Sequence, residues 1–491
     1  MTLVSYGVNV YQGPTKGQPP LQVDSEIPAI IGAFPCDDGA GYEIGKPLEW
    51  YACTSWEDFQ NQYGDIAVWG TGNLDRSDGW NAYKSIERIM YGFGIYPVLI
   101  YNVLDPSTNV TSVVDESKTF VSGTDYVTLT NKYILMSTIV VTDDPMTTTY
   151  VLGTDYTLTR NTTTGLVEVY RIATGGIGAT DDILVDYDYC DPTSITMAQV
   201  TAAIQGVDDI VTSVGFSYLP GWLHVPYWSM KDYNSILYAT VRTDMLAMAD
   251  NLNSVFMLRF VYDLDESAFA TSGDLQDLYD EKTILSEFGR AIAASGTYGA
   301  TTEQLGSDWY IGMQSDEVQL NGYPGVSCSN RPLTGFTPDN KLSFPTQSNA
   351  VRDKGIICSI LDTADRGWCL WGTWTSYFNG TATDLALDST NQNDVIVYLN
   401  KSIIRDLWVK AQDRNFNKYT IFAYVDSMNT LGKQLVSRGQ MIGFEIEFRE
   451  EDNPDLSTMI KLRLYILAPE PQKRTDVEIQ VDLTYFNTLF G

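Results

Sequence analysis

Histidine is almost missing from this sequence: one residue, His224, in 491. Any Ser-His-Asp or Cys-His mechanism must run through that single ring, and a metal site built on several histidines is excluded. Its neighbours in GWLHVPYW, Trp222, Tyr227 and Trp228, point instead to packing inside an aromatic cluster. Cysteine is scarce and scattered. Cys36, Cys53, Cys190, Cys328, Cys358 and Cys369 form no C-x-x-C pair, so reduced, mostly buried thiols are expected rather than a disulfide framework or a zinc site. No stretch approaches 18 uninterrupted apolar residues, and the opening MTLVSYGVNV lacks the basic and apolar regions of a signal peptide. Synthesis in the cytosol and no membrane insertion are the expectation. Basic residues number half the acidic ones, 31 against 62, and a net charge near -31 repels phosphate backbones and anionic membranes. Nucleic acid is therefore not an expected partner; solubility is the simplest account of the charge, and a basic partner surface the sharper one.

The short motifs that carry chemistry fail one by one. Asp186, Asp188 and Asp191 offer three carboxylates but lack the central glycine and terminal glutamate of a calcium loop, and alternation along a solvated strand explains them better. Gly432-Lys433 is followed by Gln434, not Ser or Thr, inside a helical pattern, and Gly92-Phe93-Gly94 lacks the third glycine of a dinucleotide fingerprint. Among the many carboxylates no hydrolytic pair stands out. The sequence assigns no catalytic residue, no metal and no cofactor.

What is present is a folding, multidomain chain. Its 44% hydrophobic and 12% aromatic residues, over 491 positions, ask for two to four domains. Apolar strand-like runs at 27–34 and 97–104 alternate with helical patterns at 54–64, where Thr54 and Glu57 suggest a capping box, and at 80–91. Thr-rich, Gly-punctuated segments with two-residue alternation fill 105–191 and read as an inserted all-β domain. The α/β texture then resumes, with helices expected at 236–252 and 284–294 and strands at 255–262, 355–361 and 368–371, while 296–353 offers no clear pattern. An amphipathic helix carries Ile396, Leu399, Ile403, Leu407 and Ala411, and a second spans 428–438 with Gly439 as its stop. Two strands follow, one with Ile442, Phe444, Ile446 and Phe448 on one face, the other with Ile460, Leu462, Leu464 and Ile466.

Both ends of the chain read as strands with one apolar face, set off by Gly13-Pro14 and Pro19-Pro20 at the front and Pro469-Glu470-Pro471 at the back. The first presents Val4, Tyr6, Val8 and Val10; the last presents Val477, Ile479, Val481, Leu483 and Tyr485. Burying five such side chains gains roughly 7 to 15 kcal/mol, and ordering nine residues costs about 9 to 18 kcal/mol. Ladder hydrogen bonds must decide the balance, so each end needs a sheet edge to join. That edge lies either in the same subunit or in another copy, and a donated strand joins copies head to tail, into rings or open helices.

The order of segments resembles contractile tail sheath proteins of phages and the related R-type bacteriocins. The resemblance rests on Tyr6-Gly7-Val8, Ile27-Pro28-Ala29-Ile30-Ile31-Gly32-Ala33, the segment 54–64, Tyr101-Asn102-Val103, Gly439-Gln440-Met441-Ile442-Gly443-Phe444 and the Pro469-Glu470-Pro471 spacer. The middle, 205–380, matches loosely, and Trp374 stands where the family commonly carries arginine. The resemblance implies an α+β multidomain fold: an N-terminal arm (1–24), an α/β core (25–104 plus 192–380), the inserted β-domain on the outer surface (105–191), a C-terminal α+β assembly domain (381–470) and a C-terminal arm (471–491). It implies a structural, non-enzymatic subunit of stacked sixfold rings around an inner tail tube, meeting baseplate and tail terminator proteins, assembled in the bacterial cytoplasm into a virion tail or tail-like particle. Both terminal strands would be donated to neighbouring copies, and 442–448 with 460–466 would receive them. The rival reading is a virion or cell-surface protein whose Thr- and Tyr-rich β-domain binds a carbohydrate or receptor.

Overall fold

A strand-length apolar run flanked by helices is covered on both faces, and six such runs build the central sheet of the computed structural model. They are β1 (Pro28–Gly32), β3 (Val98–Asn102), β10 (Trp222–His224), β11 (Arg259–Asp263), β12 (Ala291–Ala294) and β13 (Ile356–Leu361), all parallel. Antiparallel strands close both sides, β2 (Trp50–Cys53) beside β3 and β14 (Trp368–Trp371) beside β13. The spatial order is β14-β13-β12-β11-β10-β1-β3-β2, which reverses direction between β1 and β10. The structure describes residues 26–36, 45–64, 69, 74–144, 146–252, 257–283, 291–294, 297–298, 304–334, 337–362, 366–381, 383–410, 418–452 and 461–471.

Helices pack against this sheet: α1 (Trp56–Tyr63), α2 (Tyr83–Ile86, prolonged by a wider turn to Gly92), α3 (Met197–Gln205), α4 (Tyr238–Leu252), α5 (Leu275–Lys282), α6 (Gly306–Asn321) and α7 (Thr346–Arg352). The cap of α1 is Ser55, whose hydroxyl accepts the Asp58 amide at 3.0 Å, one residue later than the capping box expected from Thr54. Gly32 lets α2 approach β1 closely, since a Cβ there would overlap that of Ala82. The helix expected through 294 is corrected at its end, because Ala291–Ala294 is an interior strand between β11 and β13. Alanine's helix preference is weak beside burial on two faces.

Between β3 and α3 the chain is antiparallel β. β4 (Val110–Thr119), β6 (Val140–Asp143) and β9 (Asp182–Cys190) form one three-stranded sheet; β5 (Tyr126–Lys132), β7 (Tyr156–Arg160) and β8 (Leu166–Arg171) form another. Their inward side chains, among them Leu129, Val141, Val169, Ile183 and Val185, make a core separate from that of the large sheet. The acidic alternation at Asp186 and Asp188 is the outer face of β9. All six cysteines are buried free thiols, and Cys190 bonds through its sulfur to the Cys36 backbone.

The chain continues as two long helices, α8 (Thr390–Lys410) and α9 (Lys418–Ser437), and a hairpin-like pair, β15 (Gly443–Phe448) and β16 (Leu462–Leu467). Helix α9 begins ten residues before the 428 read from the sequence. Its stripe Ile421, Tyr424, Met428, Leu431 and Leu435, spaced by three or four, is buried. Gly439, at φ 71°, turns the chain from α9 into β15.

Candidate functional site

In open α/β sheets ligands bind beyond the carboxyl ends of the strands, where the strand order reverses. That crevice is filled here by the protein's own side chains. His224 at the end of β10 donates through Nδ1 to the Val261 carbonyl at 3.3 Å, and its Nε2 faces Asp308 Oδ1 and Ser307 Oγ, each at 3.2 Å. Ser307 gives its hydroxyl proton to Asp263, at the end of β11, and its amide to the same carboxylate at 2.9 Å. Arg76 donates to Asp308 at 2.7 Å and to the Asn81 carbonyl at 2.8 Å, and the Asn81 amide spans the Ala33 N–H and the Pro226 carbonyl, each at 2.8 Å. His224, Ser307, Asp308 and Arg76 all have zero exposure.

Burial pushes Asp263 up to about 6, with Asp308 adding to the rise and His224 opposing it. Burial acts on Asp308 too, but Arg76 and His224 hold its carboxyl below the ordinary carboxylate range. A serine nucleophile must hand its proton to the imidazole and meet a substrate. Ser307 hands it to Asp263 and meets only protein. His224 thus sits in a buried polar network, a correction to the aromatic packing read from its neighbours; no sequence spacing links residues from β10, β11 and the start of α6.

The accessible structure lies at the other end of the chain. β15 and β16 pair in antiparallel register, Phe444 opposite Ile466, Ile446 opposite Leu464 and Phe448 opposite Leu462. These six side chains share one face; five of them join the apolar clusters with α8 and α9, and Phe448 meets Phe422 of α9 edge-on. Gly432 of α9 sits so close to Phe444 that a Cβ would overlap its ring. Only Ile446 of the six is fully buried; the other five are half-buried, and Ile442, beyond the end of β15, is 60% exposed. A two-stranded sheet leaves apolar surface at its sides, and among the described residues β15 and β16 pair only with each other.

The outer edges differ. On β15, the Asn429 amide accepts the Ile446 N–H at 2.8 Å and donates to the Ile446 carbonyl at 2.9 Å, imitating a neighbouring strand. On β16, Leu462, Leu464 and Ile466 direct their backbone groups away from β15 by the antiparallel alternation. Two residues on, Gln392 of α8 brackets Ala468 in the same way as Asn429 does Ile446, at 2.8 and 3.0 Å. Pro469 and Pro471 then supply no amide hydrogen.

This arrangement, a filled α/β crevice, a separate antiparallel β unit and a terminal helix pair bearing a two-stranded sheet, is similar in fold to sheath subunits of contractile injection systems. The tail sheath protein of Burkholderia phage BcepMu is 23% identical over 99% of this chain and 98% of its own length. The sheath of an extracellular contractile injection system, PVC, in its contracted state superposes with a TM-score of 0.55 at 10% identity, covering 99% of this chain and all of that one. The helical sheath of the anti-feeding prophage, also contracted, gives 0.55 at 11% identity over 98% of this chain. No family model matches. The resemblance to contractile tail sheath proteins thus extends over the full chain, in sequence to a phage relative and in fold to sheath subunits of injection systems.

Of the residues the sequence singles out, Ile442, Phe444, Ile446, Phe448, Leu462, Leu464 and Ile466 are brought together in β15, β16 and the residue before them. Ile460 lies outside the described residues, as do Val4, Tyr6, Val8 and Val10 at one end and Val477, Ile479, Val481, Leu483 and Tyr485 at the other. The bracketing amides Asn429 and Gln392 escape a reading by periodicity. Each looks like an ordinary polar helix residue until a strand is laid beside it.

Proposed function

We propose that the chain is a structural sheath subunit, one that polymerises by exchange of β-strands into a helical sheath of stacked sixfold rings around an inner tail tube. The donors are the segments 3–10 and 477–485, and the receiving sheet of each copy is β15 with β16. The observation that carries this reading is the β16 edge, where three residues present backbone that no described residue pairs, beside a half-covered apolar face. A strand laid there gains ladder hydrogen bonds and covers that face in one step. Because each copy gives two strands and receives others, individually modest contacts add into a continuous mesh.

In this reading the sheath forms extended and shortens by rotation of nearly rigid bodies, with the arms as hinges, driving the tube through a target envelope. Baseplate and tail terminator proteins meet its two ends, and the particle, assembled in the bacterial cytoplasm, is a virion tail or a tail-like injection device. The β unit at 105–191 lies on the outside, and the division into arms, core, insertion and assembly domain follows the boundaries given by the sequence. The PVC and anti-feeding prophage sheaths, which share the fold, support the assignment.

The test is removal of every residue after Pro471, followed by electron microscopy and sedimentation. The full chain should form long striated tubules, and the truncated chain should stay as dispersed subunits with unchanged circular dichroism. Long tubes from the truncated chain would overturn strand exchange at that end.

A further inference from the structure

Ser389 and the five residues that open α8, Thr390 to Asp394, are all buried although every one is polar. Such a run is costly unless its groups find partners: Thr390, Asn391 and Asn393 donate to the carbonyls of Thr373, Gly325 and Ala386, while Ser389, Gln392 and Asp394 reach toward the two ends of the described chain. At the back, Gln392 brackets the Ala468 backbone at 2.8 and 3.0 Å, and the Ser389 hydroxyl donates to the Glu470 carboxylate at 2.7 Å. Glu470 therefore sits at the first turn of a 21-residue helix, whose dipole favours an anion. At the front, the buried Glu26 carboxylate receives Arg259 at 2.9 Å and the Trp222 indole at 2.7 Å, and its carbonyl receives Ser315 at 3.4 Å.

The two sets are joined. Arg259, fully buried over the Trp222 ring, also binds Asp394, whose second oxygen receives Gln314 at 2.8 Å. One guanidinium thus faces the carboxylate of Glu26, the first described residue, and that of Asp394, which lies two residues from Gln392 on the same helix.

We propose that the first turns of α8 are a single buried hub that fixes both arm exits, with Arg259 linking Glu26 to Asp394, and Gln392 and Ser389 holding Ala468 and Glu470. The inference rests on the strand-exchange reading and adds to it: the offset between the strand a subunit sends out at one end and the strand it sends out at the other is set inside the subunit, by positioning residues that touch no neighbour. A ring lattice needs that offset identical in every copy, since an error at one exit displaces the next subunit.

The test uses the full chain carrying Gln392→Met, Glu26→Gln, both together, or Val169→Ala, which weakens the separate β core and touches neither exit. For each, thermal melting is measured below the polymerisation threshold, and the critical concentration for tubules by sedimentation. Gln392→Met, which removes both bracketing bonds, should raise the critical concentration by about tenfold or more, while Val169→Ala, with a similar or larger loss in melting temperature, should leave it at the native value. The double variant should raise it by less than the product of the two single effects, as expected of one linked unit. Native assembly by Gln392→Met would overturn the hub. So would a double variant equal to the product, which would mean two independent anchors. Failure of the underlying reading is separate: it shows as tubules from the chain truncated after Pro471, whatever the hub variants do.

Discussion

Gly432→Ala sets two effects of known sign against each other in the small terminal sheet. Alanine inside a helix is favoured over glycine by about 1 kcal/mol, so in open space the change would strengthen α9. Here the added methyl meets the Phe444 ring at both its near and its root carbons, well inside contact distance. Rotation of the ring about its own axis leaves the root carbon where it is. The strand must move, and Phe444 is in register with Ile466, so β16 moves with it. Overpacking costs about 1 to 3 kcal/mol, and an overlap that includes the root carbon falls in the upper half of that range, so after the helix gain of about 1 kcal/mol a net loss of about 1 to 2 kcal/mol remains, confined to α9, β15 and β16. In a multidomain chain a single melting curve averages this away. Hydrogen exchange resolves it: amides of β15 and β16 should lose protection by about five- to thirtyfold, since 1.4 kcal/mol is a factor of ten, with β1, β10 and β11 unchanged. Gly443→Ala, where a methyl meets open space, should leave the same amides as they were. Greater protection in the Gly432 variant would refute the reasoning, because helix preference would then have outweighed the contact with Phe444.

Other residues give equally direct expectations. Asp263 is raised by burial from 3.8 to about 6, so the folded state binds its proton more tightly than the unfolded one, and stability falls as pH rises from about 4 to 6. The loss from this group is about 3 kcal/mol at 1.36 kcal/mol per pH unit, and Asp263→Asn, which keeps the bonds to Ser307, should be flatter by that amount in urea titrations across the same range. A wild-type and a variant curve of equal slope would count against a buried proton there. Asn102→Ala should cost about 3 to 5 kcal/mol or abolish soluble expression, because its amide serves the Phe34 N–H at 3.0 Å, the Phe34 carbonyl at 3.1 Å, the Gly45 carbonyl at 2.6 Å and the Leu104 N–H at 3.1 Å. A loss under 1 kcal/mol in urea unfolding would mean those backbone groups find other partners.

The parts of this fold that can be read from sequence are those exposed to water on one side. β15, β16 and α9 alternate between apolar and polar positions because one face of each meets solvent, and the antiparallel strands from 110 to 190 do the same. Helix α6 gives no such sign: Gly306 through Ser315 are all buried, so its period vanishes and the stretch from 296 to 353 looks featureless. Ala291–Ala294 fails for the same reason, being a strand with no outer face. The polar network around His224 draws on β10, β11 and α6, segments more than thirty residues apart, and only folding reveals it. The start of α8 did carry a signal. Its first five residues, with Ser389 before them, are all polar, which is unusual at the head of a long amphipathic helix, and three of the six reach toward the two ends of the described chain, Ser389 and Gln392 at the back and Asp394, through Arg259, at the front.

An edge that accepts strands is also an edge on which unrelated chains aggregate, and the two bracketing amides bear on that hazard. Asn429 occupies the middle of one side, and Gln392, backed by two prolines, blocks the far end of the other. Among the described residues, what stays open is the span from Leu462 to Ile466, five residues or about 17 Å. A stray extended peptide finds a landing strip too short to hold it by backbone bonds alone. A tethered partner, delivered at high local concentration with its own apolar face, needs no more room than that.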